Sequence, residues 1–196
     1  MEQFQNEYLQ CVAAQSLQEL HLVIVNDNYP RDIALQAKKY DLKADVVHHT
    51  RSPQENRLAG LHYCFEQKFD VIINSDSDET MHPNRSLLAI NYFLSNPTKQ
   101  VVYNNSIAKA DGKNFHLHHK DTLTFHDILD FNMLGFGAMN CRREHIPFLL
   151  KHKNPQAEVF DWWIALTYLL QHESVDFLKD AKNNYRKHKN NYVGPL

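Results

Sequence analysis

The chain has 196 residues, with 21 Lys and Arg against 23 Asp and Glu, so its formal net charge is −2. With 43% hydrophobic and 22% charged residues, it has the composition of an ordinary globular domain, which excludes disordered, collagen-like and disulfide-scaffold chains. The near-neutral charge also argues against a nucleic-acid partner, because nucleic-acid-binding domains usually carry a basic excess.

The expected location follows from what the sequence lacks. No apolar run approaches the roughly 18 residues that a transmembrane helix needs, and the first ten residues have neither a basic start nor an apolar stretch typical of a secretion signal. The three cysteines, Cys11, Cys64 and Cys141, are odd in number and widely spaced, which favours a reduced cytoplasmic protein. A single domain spanning residues 1–196 is predicted.

Strands and helices alternate along the first half of the sequence. Short β-branched runs at residues 20–27, 44–49, 70–76 and 100–107 are typical of buried parallel strands. Between them, residues 33–40, 56–68 and 84–94 place apolar side chains at helical spacing. The alternation predicts an α/β fold, with a mostly parallel, Rossmann-like sheet flanked by helices.

The pattern changes after about residue 112. A helix is predicted over residues 122–131, followed by a glycine-bearing loop at 134–140 and a long amphipathic helix at 158–171. Residues 180–196 are interpreted as a polar, basic tail. No internal repeat or long linker divides the chain.

Polar residues follow three of the predicted strands. Asp27 closes the first, Arg57 lies in the segment after the second, and Asp76 and Asp78 follow the third. Ligands of open α/β sheets bind at this carboxyl edge. Two carboxylates one residue apart repel unless a cation lies between them, and an oxygen-rich, half-open site suits Mg²⁺ or Mn²⁺. The alternative is that they cap the helix starting near Pro83.

The 13 histidines are a second unusual feature. His116, His118 and His119 cluster in a polar stretch. Such a cluster is either a zinc site or a solvated loop or strand edge, and the missing cysteine partner favours the second interpretation.

Six segments in chain order resemble family 2 glycosyltransferases of the GT-A fold, and are similar to the rhamnosyltransferase-like branch. They cover nearly the whole chain: CVAAQSLQELHLVIVNDNYPRD, SPQENRLAGLHYCF, DVIINSDSDETMHP, LGFGAMNCRREH, EVFDWWIALTYLL and NNYRKHKNNYVG. The resemblance implies a GT-A-type domain that transfers a sugar from a nucleoside diphosphate donor to a saccharide or lipid-linked acceptor in cell-surface polysaccharide synthesis. A lipid-linked acceptor would make the chain a peripheral protein at a membrane surface.

The resemblance also implies residue roles on the donor side. Asp27 is similar to the residue that reads the nucleotide base or ribose, and Arg57 to a nucleotide contact. Asp76 is similar to a ribose or metal contact, and Asp78 to the main ligand of Mn²⁺ or Mg²⁺. His188 is similar to a C-terminal metal or diphosphate ligand.

On the acceptor side, Asp161 is similar to the general base of an inverting transfer. Its carboxylate, desolvated beside Trp162 and Trp163, would deprotonate the attacking hydroxyl. In-line attack on the sugar carbon would invert the anomeric centre. A divalent cation would offset the charge on the departing diphosphate. Without the resemblance, the favoured interpretation is that Asp161 caps a helix whose apolar residues, Trp163, Ile164, Leu166 and Leu170, belong to the core.

The sequence departs from the family at its start, because the first strand of the fold is not found before the helix expected at residues 7–16. We expect an N-terminally incomplete domain. A strand from another chain, or closure of the gap by the remaining strands, are the alternatives. Asn26, Leu58 and Phe160 also replace usual family residues. The competing function is therefore a truncated, inactive glycosyltransferase-like module.

Overall fold

The computed structural model describes residues 2–110, 113–116, 120–130, 132–154 and 156–186. The helices are α1 (Glu2–Ala13), α2 (Ile33–Lys38), α3 (Pro53–Glu66), α4 (Arg85–Ser95), α5 (Ile146–Lys151) and α6 (Phe160–Leu169). The strands are β1 (His21–Asn26), β2 (Lys43–His48), β3 (Val71–Ile73), β4 (Thr80–Met81), β5 (Val101–Ala110), β6 (Lys113–His116), β7 (Thr122–Leu123), β8 (Met139–Arg142) and β9 (Val175–Tyr185).

The strands form two separate sheets. β1 and β2 pair in parallel, from His21 opposite Lys43 to Asn26 opposite His48. The larger sheet has the order β3-β8-β5-β9-β4, with β6 added to β5 and β7 to β9. The α/β fold class is confirmed. The larger sheet is mixed where mostly parallel pairing was predicted: among its described strands, β5 and β9 alone run in parallel, since β8 enters without a crossover helix.

In the described part of the chain, no pairing joins β1 to β3, the two strands between which the first strand of the resembling fold would lie. The remaining strands therefore do not close the gap. The apolar residues 22–25 of β1 are half-buried, although the sequence predicts a buried strand. A strand with one hydrogen-bonded neighbour exposes its other edge.

Local sequence explains where the predicted helices begin. Asp32 caps α2 by accepting a hydrogen bond from the backbone N–H of Leu35 at 2.9 Å. Ser52 and Glu55 form a capping box at the start of α3, with Pro53 in the first turn. The four predicted strands and the helices at 33–40, 56–68, 84–94 and 158–171 are confirmed, with ends shifted by a few residues.

Two predictions in the second half are wrong. Residues 122–130 form β7 and one 3-10 turn, Phe125–Ile128, because Thr122 and the buried Leu123 pair with β9 instead of starting a helix. The segment interpreted as a tail from residue 180 continues β9 as far as Tyr185. Its inward side chains include Ala181 and Asn183, and a buried Asn carries no apolar pattern to reveal the strand.

The main core lies between the larger sheet and helices α3, α5 and α6, and its fully buried members include Met139, Ile146 and Leu149. A smaller cluster joins α1 and α2 to the β1–β2 sheet. Cys11, Cys64 and Cys141 are free thiols. Within the described ranges, no helix is long and apolar enough to cross a bilayer.

Candidate active site

One guanidinium connects two of the predicted acidic residues. Arg57 Nη1 donates to Asp161 Oδ1 at 2.5 Å, and Arg57 Nη2 donates to Asp76 Oδ1 at 3.2 Å. The three side chains are 19–34% exposed, so the cluster lies at the protein surface but is shielded from bulk water. Arg57, Asp76 and Asp161 were predicted from separate segments, and the structure brings them together.

Each of these side chains is positioned by a different element. Arg57 lies in the first turns of α3, which the Ser52 capping box anchors. Asp76 follows β3, where the Asn74 backbone N–H bonds the carbonyl of Met139 at 3.1 Å. Asp161 lies in the first turn of α6. The site is therefore the meeting point of a strand end and two helix starts.

The Asp161 carboxylate is held on both oxygens. The backbone N–H of Phe136 donates to its Oδ2 at 2.9 Å, and Arg57 holds its Oδ1. Burial raises the pKa of the Asp161 carboxyl above its ordinary value, more than Arg57 and the Phe136 N–H lower it. A raised pKa makes a carboxylate a stronger proton acceptor, as a general base requires.

Electrostatics also explain how Arg57 remains charged. Burial alone would lower the pKa of the Arg57 guanidinium, but the carboxylates of Asp161 and Asp76 raise it above its ordinary value. The guanidinium carbon also lies 5.2 Å from the centre of the Phe136 ring, a cation–π distance. Arg57 therefore carries a permanent positive charge between two carboxylates.

The glycine-bearing loop predicted at 134–140 lies directly against Asp76. A Cβ built on Gly137 would lie 2.6 Å from Asp76 Oδ2 and 3.3 Å from the Asp76 backbone nitrogen. At Gly135, by contrast, a Cβ would have no neighbour within 4 Å. Only Gly137 is therefore required for the loop to approach the carboxylate.

The interpretation of the acidic pair as helix caps is wrong. Helix α4 has Asn84 as its N-cap residue, with no side-chain capping bond, and Asp76 instead contacts Arg57. Asp78 is half-buried in the turn after β3. Asp76 and Asp78 both raise the pKa of the neighbouring Glu79 carboxyl, after burial itself, so negative charge is concentrated at this corner.

The carboxylates of Asp76 and Asp78 are compatible with a divalent cation but do not by themselves form a complete metal site. The described residues contain no group of three or more His, Cys, Asp or Glu side chains arranged to hold a metal ion. Mg²⁺ and similar ions are often held by one or two carboxylates together with substrate phosphates, which is what Asp76 and Asp78 could supply. His188, the third predicted ligand, lies outside the described residues, as do His118 and His119 of the histidine cluster.

Asp27 is not brought into the cluster. It follows β1 at the carboxyl edge of the smaller sheet and is exposed. The hydrogen bonds and ion pairs of the described residues do not link it to Arg57, Asp76 or Asp161. The preceding Asn26 is buried and holds the turn by accepting the Tyr29 backbone N–H at 2.7 Å.

The aromatic surroundings of Asp161 differ from the expectation. Trp162 donates from Nε1 to the Ile128 carbonyl at 2.7 Å, and Trp163 to the His152 carbonyl at 2.8 Å. Both indoles therefore anchor α6 to neighbouring segments through hydrogen bonds. Phe136 contacts the site, and Phe160, which replaces a usual family residue, packs on it with ring centres 5.8 Å apart.

Sequence reasoning missed the buried polar residues beneath the site, Arg85, Glu79 and Asn183. One signal for Arg85 was available. It shares a helix face with Ala89 and Phe93 at spacings of four residues, and both are fully buried. A charged residue on an apolar helix face indicates a paired, buried group.

Comparison with known proteins gives a family and a fold. The sequence model of the family described as "Glycosyl transferase family 2" matches residues 2–154. No curated protein sequence matches the chain.

Several solved structures share the architecture. S. aureus TarS 1-349 in complex with UDP-GlcNAc superposes with a TM-score of 0.73 at 17% identity, covering 97% of this chain and 57% of that one. The complex of the same TarS fragment with UDP gives 0.67 at 17% identity, covering 94% and 56%. A further crystal structure of S. aureus TarS gives a TM-score of 0.70 at 17% identity, covering 93% of this chain and 34% of that one. At this identity the likeness shows the fold, and the chain spans little more than half the length of the first two structures.

Proposed function

Because this chain belongs to glycosyl transferase family 2, we propose that it transfers a sugar from a nucleoside diphosphate donor to a saccharide or lipid-linked acceptor with inversion. The observation that carries the proposal is the Arg57 bridge, in which one guanidinium holds Asp76 and Asp161. The bridge supports the proposal because it joins Asp76, the proposed donor-side carboxylate, and Asp161, the proposed base, in one shielded cluster.

Asp161 is the proposed general base. Its carboxylate takes the proton of the acceptor hydroxyl while the hydroxyl oxygen bonds to the anomeric carbon. The bond from that carbon to the diphosphate breaks, and its electron pair leaves with the diphosphate. Attack opposite the leaving group inverts the anomeric centre.

Donor binding is assigned to the other side of the cluster. Arg57 supplies positive charge for the diphosphate, Asp76 contacts the ribose or the metal, and Asp27 contacts the base or ribose. Asp76, Asp78 and His188 would hold Mn²⁺ or Mg²⁺, which supplies electrostatic stabilisation of the departing diphosphate when bound. Because the TarS complexes contain UDP-GlcNAc and UDP, uridine nucleotides are the first donors to test.

The setting of this activity is also proposed. The three free thiols are compatible with a reducing cytoplasmic compartment. A lipid-linked acceptor would bring the protein to the membrane surface, in the synthesis of a cell-surface polysaccharide.

Calorimetry with UDP and TDP, each with and without Mn²⁺, tests the proposal. We expect metal-dependent binding that Asp78→Ala abolishes. Asp70→Ala is the matched control, because Asp70 is an exposed carboxylate just before β3, outside the Arg57 cluster. If the wild-type chain binds neither nucleotide, the transferase proposal fails and the inactive module takes its place.

A further inference from the structure

Arg85 is the most deeply buried charged residue among those described, with no exposed surface. It is the first residue of α4, and its Nη2 donates to the backbone carbonyls of Asn74 and Gly137, the latter at 2.9 Å. These carbonyls belong to segments 63 residues apart in the chain. A single guanidinium therefore ties the end of β3 to the glycine loop.

The groups around Arg85 complete a buried polar network. Asn183 of β9 donates from Nδ2 to the same Gly137 carbonyl at 3.1 Å and to Glu79 Oε2 at 3.3 Å. The Asn104 side-chain amide, oriented with its oxygen towards Arg85, accepts from Nε, since the two Nη2 hydrogens go to the carbonyls. Side chains from β5, from β9 and from the turn that carries Glu79 therefore meet around the Arg85 guanidinium.

The charge of Arg85 persists despite its burial. Burial lowers the pKa of the guanidinium to about 10, which still leaves it protonated at neutral pH. Its charge acts on Glu79, where it lowers the pKa that burial and Asp76 raise. A buried charge of this kind is costly unless it is hydrogen-bonded, and here it is.

The two carbonyls held by Arg85 lead directly to the two acids of the site. Asn74 precedes Asp76 by two residues, and Gly137 follows Phe136, whose backbone N–H holds Asp161. Gly137 also lies against the Asp76 carboxylate. Movement of either carbonyl would therefore change the spacing between Asp76 and Asp161.

From this geometry we propose that Arg85 is a positioning residue that fixes the separation between the donor-side Asp76 and the base Asp161 by holding the Asn74 and Gly137 carbonyls. Its catalytic consequence rests on the proposed function, whereas its geometry does not. Arginine suits the task because Nη2 carries both donors to the two carbonyls in the fixed plane of the guanidinium fork, one bond farther from Cα than the flexible ammonium of a lysine would lie.

The test compares Arg85→Lys with Arg142→Lys. Arg142 is a matched control because it also donates to two backbone carbonyls, from Nε to Lys99 at 3.1 Å and from Nη2 to Phe93 at 2.5 Å, outside the Asp76–Asp161 cluster. Both variants keep the positive charge and lose the fork. Urea unfolding gives the stability of each, so that activities are compared at known folded fractions.

Two readouts separate positioning from stability. Steady-state transfer should show kcat reduced about 10- to 100-fold in Arg85→Lys with little change in donor KM, and less than about twofold in Arg142→Lys. Amide hydrogen exchange should show faster exchange of the Phe136 N–H in Arg85→Lys alone, because the loop that presents it to Asp161 is released.

Equal losses of kcat in the two variants, or an unchanged Phe136 exchange rate in Arg85→Lys, would overturn the positioning role. If wild type binds no nucleotide, the proposed function fails, and the Phe136 exchange rate still decides the role of Arg85. If Arg85→Lys does not fold, Asn183→Leu gives the second test, because it removes the other donor to the Gly137 carbonyl. We then expect only a small effect on both readouts, because Arg85 still holds that carbonyl, whereas a loss of kcat of about 10- to 100-fold with faster Phe136 exchange would assign the role to Asn183 and count against the proposal.

Discussion

The two sheets contain strands of similar sequence but very different burial. In β1, the apolar residues 22–25 are half-buried, whereas Val101, Val102 and Tyr103 of β5 are at most 2% exposed. Among the described strands, β5 is flanked by β8 and β9, whereas β1 pairs with β2 alone. A β-branched run therefore predicts a strand, but its depth depends on neighbours that lie elsewhere in the chain.

The candidate site follows the same division. Asp76, Arg57 and Asp161 are joined by hydrogen bonds on the side of the larger sheet, whereas Asp27 stands alone at the end of β1. Helix α3 links the regions, because a Cβ on Gly60 would lie 2.8 Å from Val25 of β1. We therefore propose that catalysis depends on the larger region, whereas the smaller region contributes to nucleotide binding alone.

Removing the base should have the largest effect. Asp161→Asn keeps the shape of the side chain but cannot accept the hydroxyl proton, so we expect kcat for transfer to fall about 10²- to 10⁴-fold. Nucleotide binding, measured by calorimetry, should stay within a few-fold of wild type. The control Asp180→Asn changes an exposed carboxylate of β9 and should be silent. If Asp161→Asn transferred the sugar at the wild-type rate, Asp161 would not be the general base.

The second prediction concerns acid stability of the larger region. His145 is 4% exposed and stacks on Phe148, and burial lowers its pKa to about 4, with His172 and His152 adding repulsion. Because the unfolded chain binds this proton near pH 6.5, the stabilisation is complete above that pH and is lost as the pH falls towards 4. The lost stability is about 2 kcal/mol between pH 7 and pH 5.

Urea unfolding of wild type and His145→Phe at both pH values measures this loss. The variant replaces a titrating ring by a neutral one, so its free energy of unfolding should fall less on acidification than that of wild type. His62→Gln is the control, since His62 is 55% exposed and pairs only with Glu66. Parallel pH dependences for wild type and His145→Phe would show that His145 does not set acid stability.

Much of the fold was predictable because its signals are local. The β-branched runs and the helical spacing of residues 56–68 and 158–171 each depend on a few neighbouring residues, and each gave the correct element. Strand β9 was not predicted in full because its buried face includes Asn183. The side chain of Asn183 donates hydrogen bonds to Glu79 and to the Gly137 carbonyl and so gives no apolar signal in the sequence. Polarity in the sequence hid burial in the structure.

The sequence singles out Arg57, Asp76 and Asp161 one by one, but not the hydrogen bonds that join them. Arg57 and Asp161 are 104 residues apart, and no local pattern can show that they share a hydrogen bond. The burial of Arg85 was not predicted for a related reason. A charged side chain is by default assigned to the surface, and the partners of Arg85 are backbone carbonyls, which every residue carries and which no sequence pattern identifies.

A third experiment tests the contact between the glycine loop and Asp76. In Gly137→Ala the new methyl group would displace the Asp76 carboxylate from Arg57, and we expect roughly tenfold weaker nucleotide binding, of the size of an overpacking penalty. Gly135→Ala is the matched control, since its methyl group would meet no atom within 4 Å. Calorimetry on both variants decides, and equal affinities would mean that the loop does not hold Asp76 in place.

The smallest effect is expected in the smaller sheet. Asp27 is exposed and unconnected to the Arg57 cluster, so Asp27→Ala should weaken nucleotide binding by about threefold, the range of one exposed hydrogen bond, and leave kcat unchanged. Two other acidic residues near the smaller sheet are poor controls. Asp41 has a positive φ of 57°, so its substitution would strain the backbone, and Asp32 caps α2, so its substitution would weaken that helix. Glu66→Gln, exposed at the end of α3, is the suitable control. A contact to the nucleobase or ribose holds the nucleotide without touching the bond that reacts, so a change confined to the donor KM would support the division between the two regions. A fall in kcat for Asp27→Ala would instead show that the smaller sheet also aligns the donor for attack.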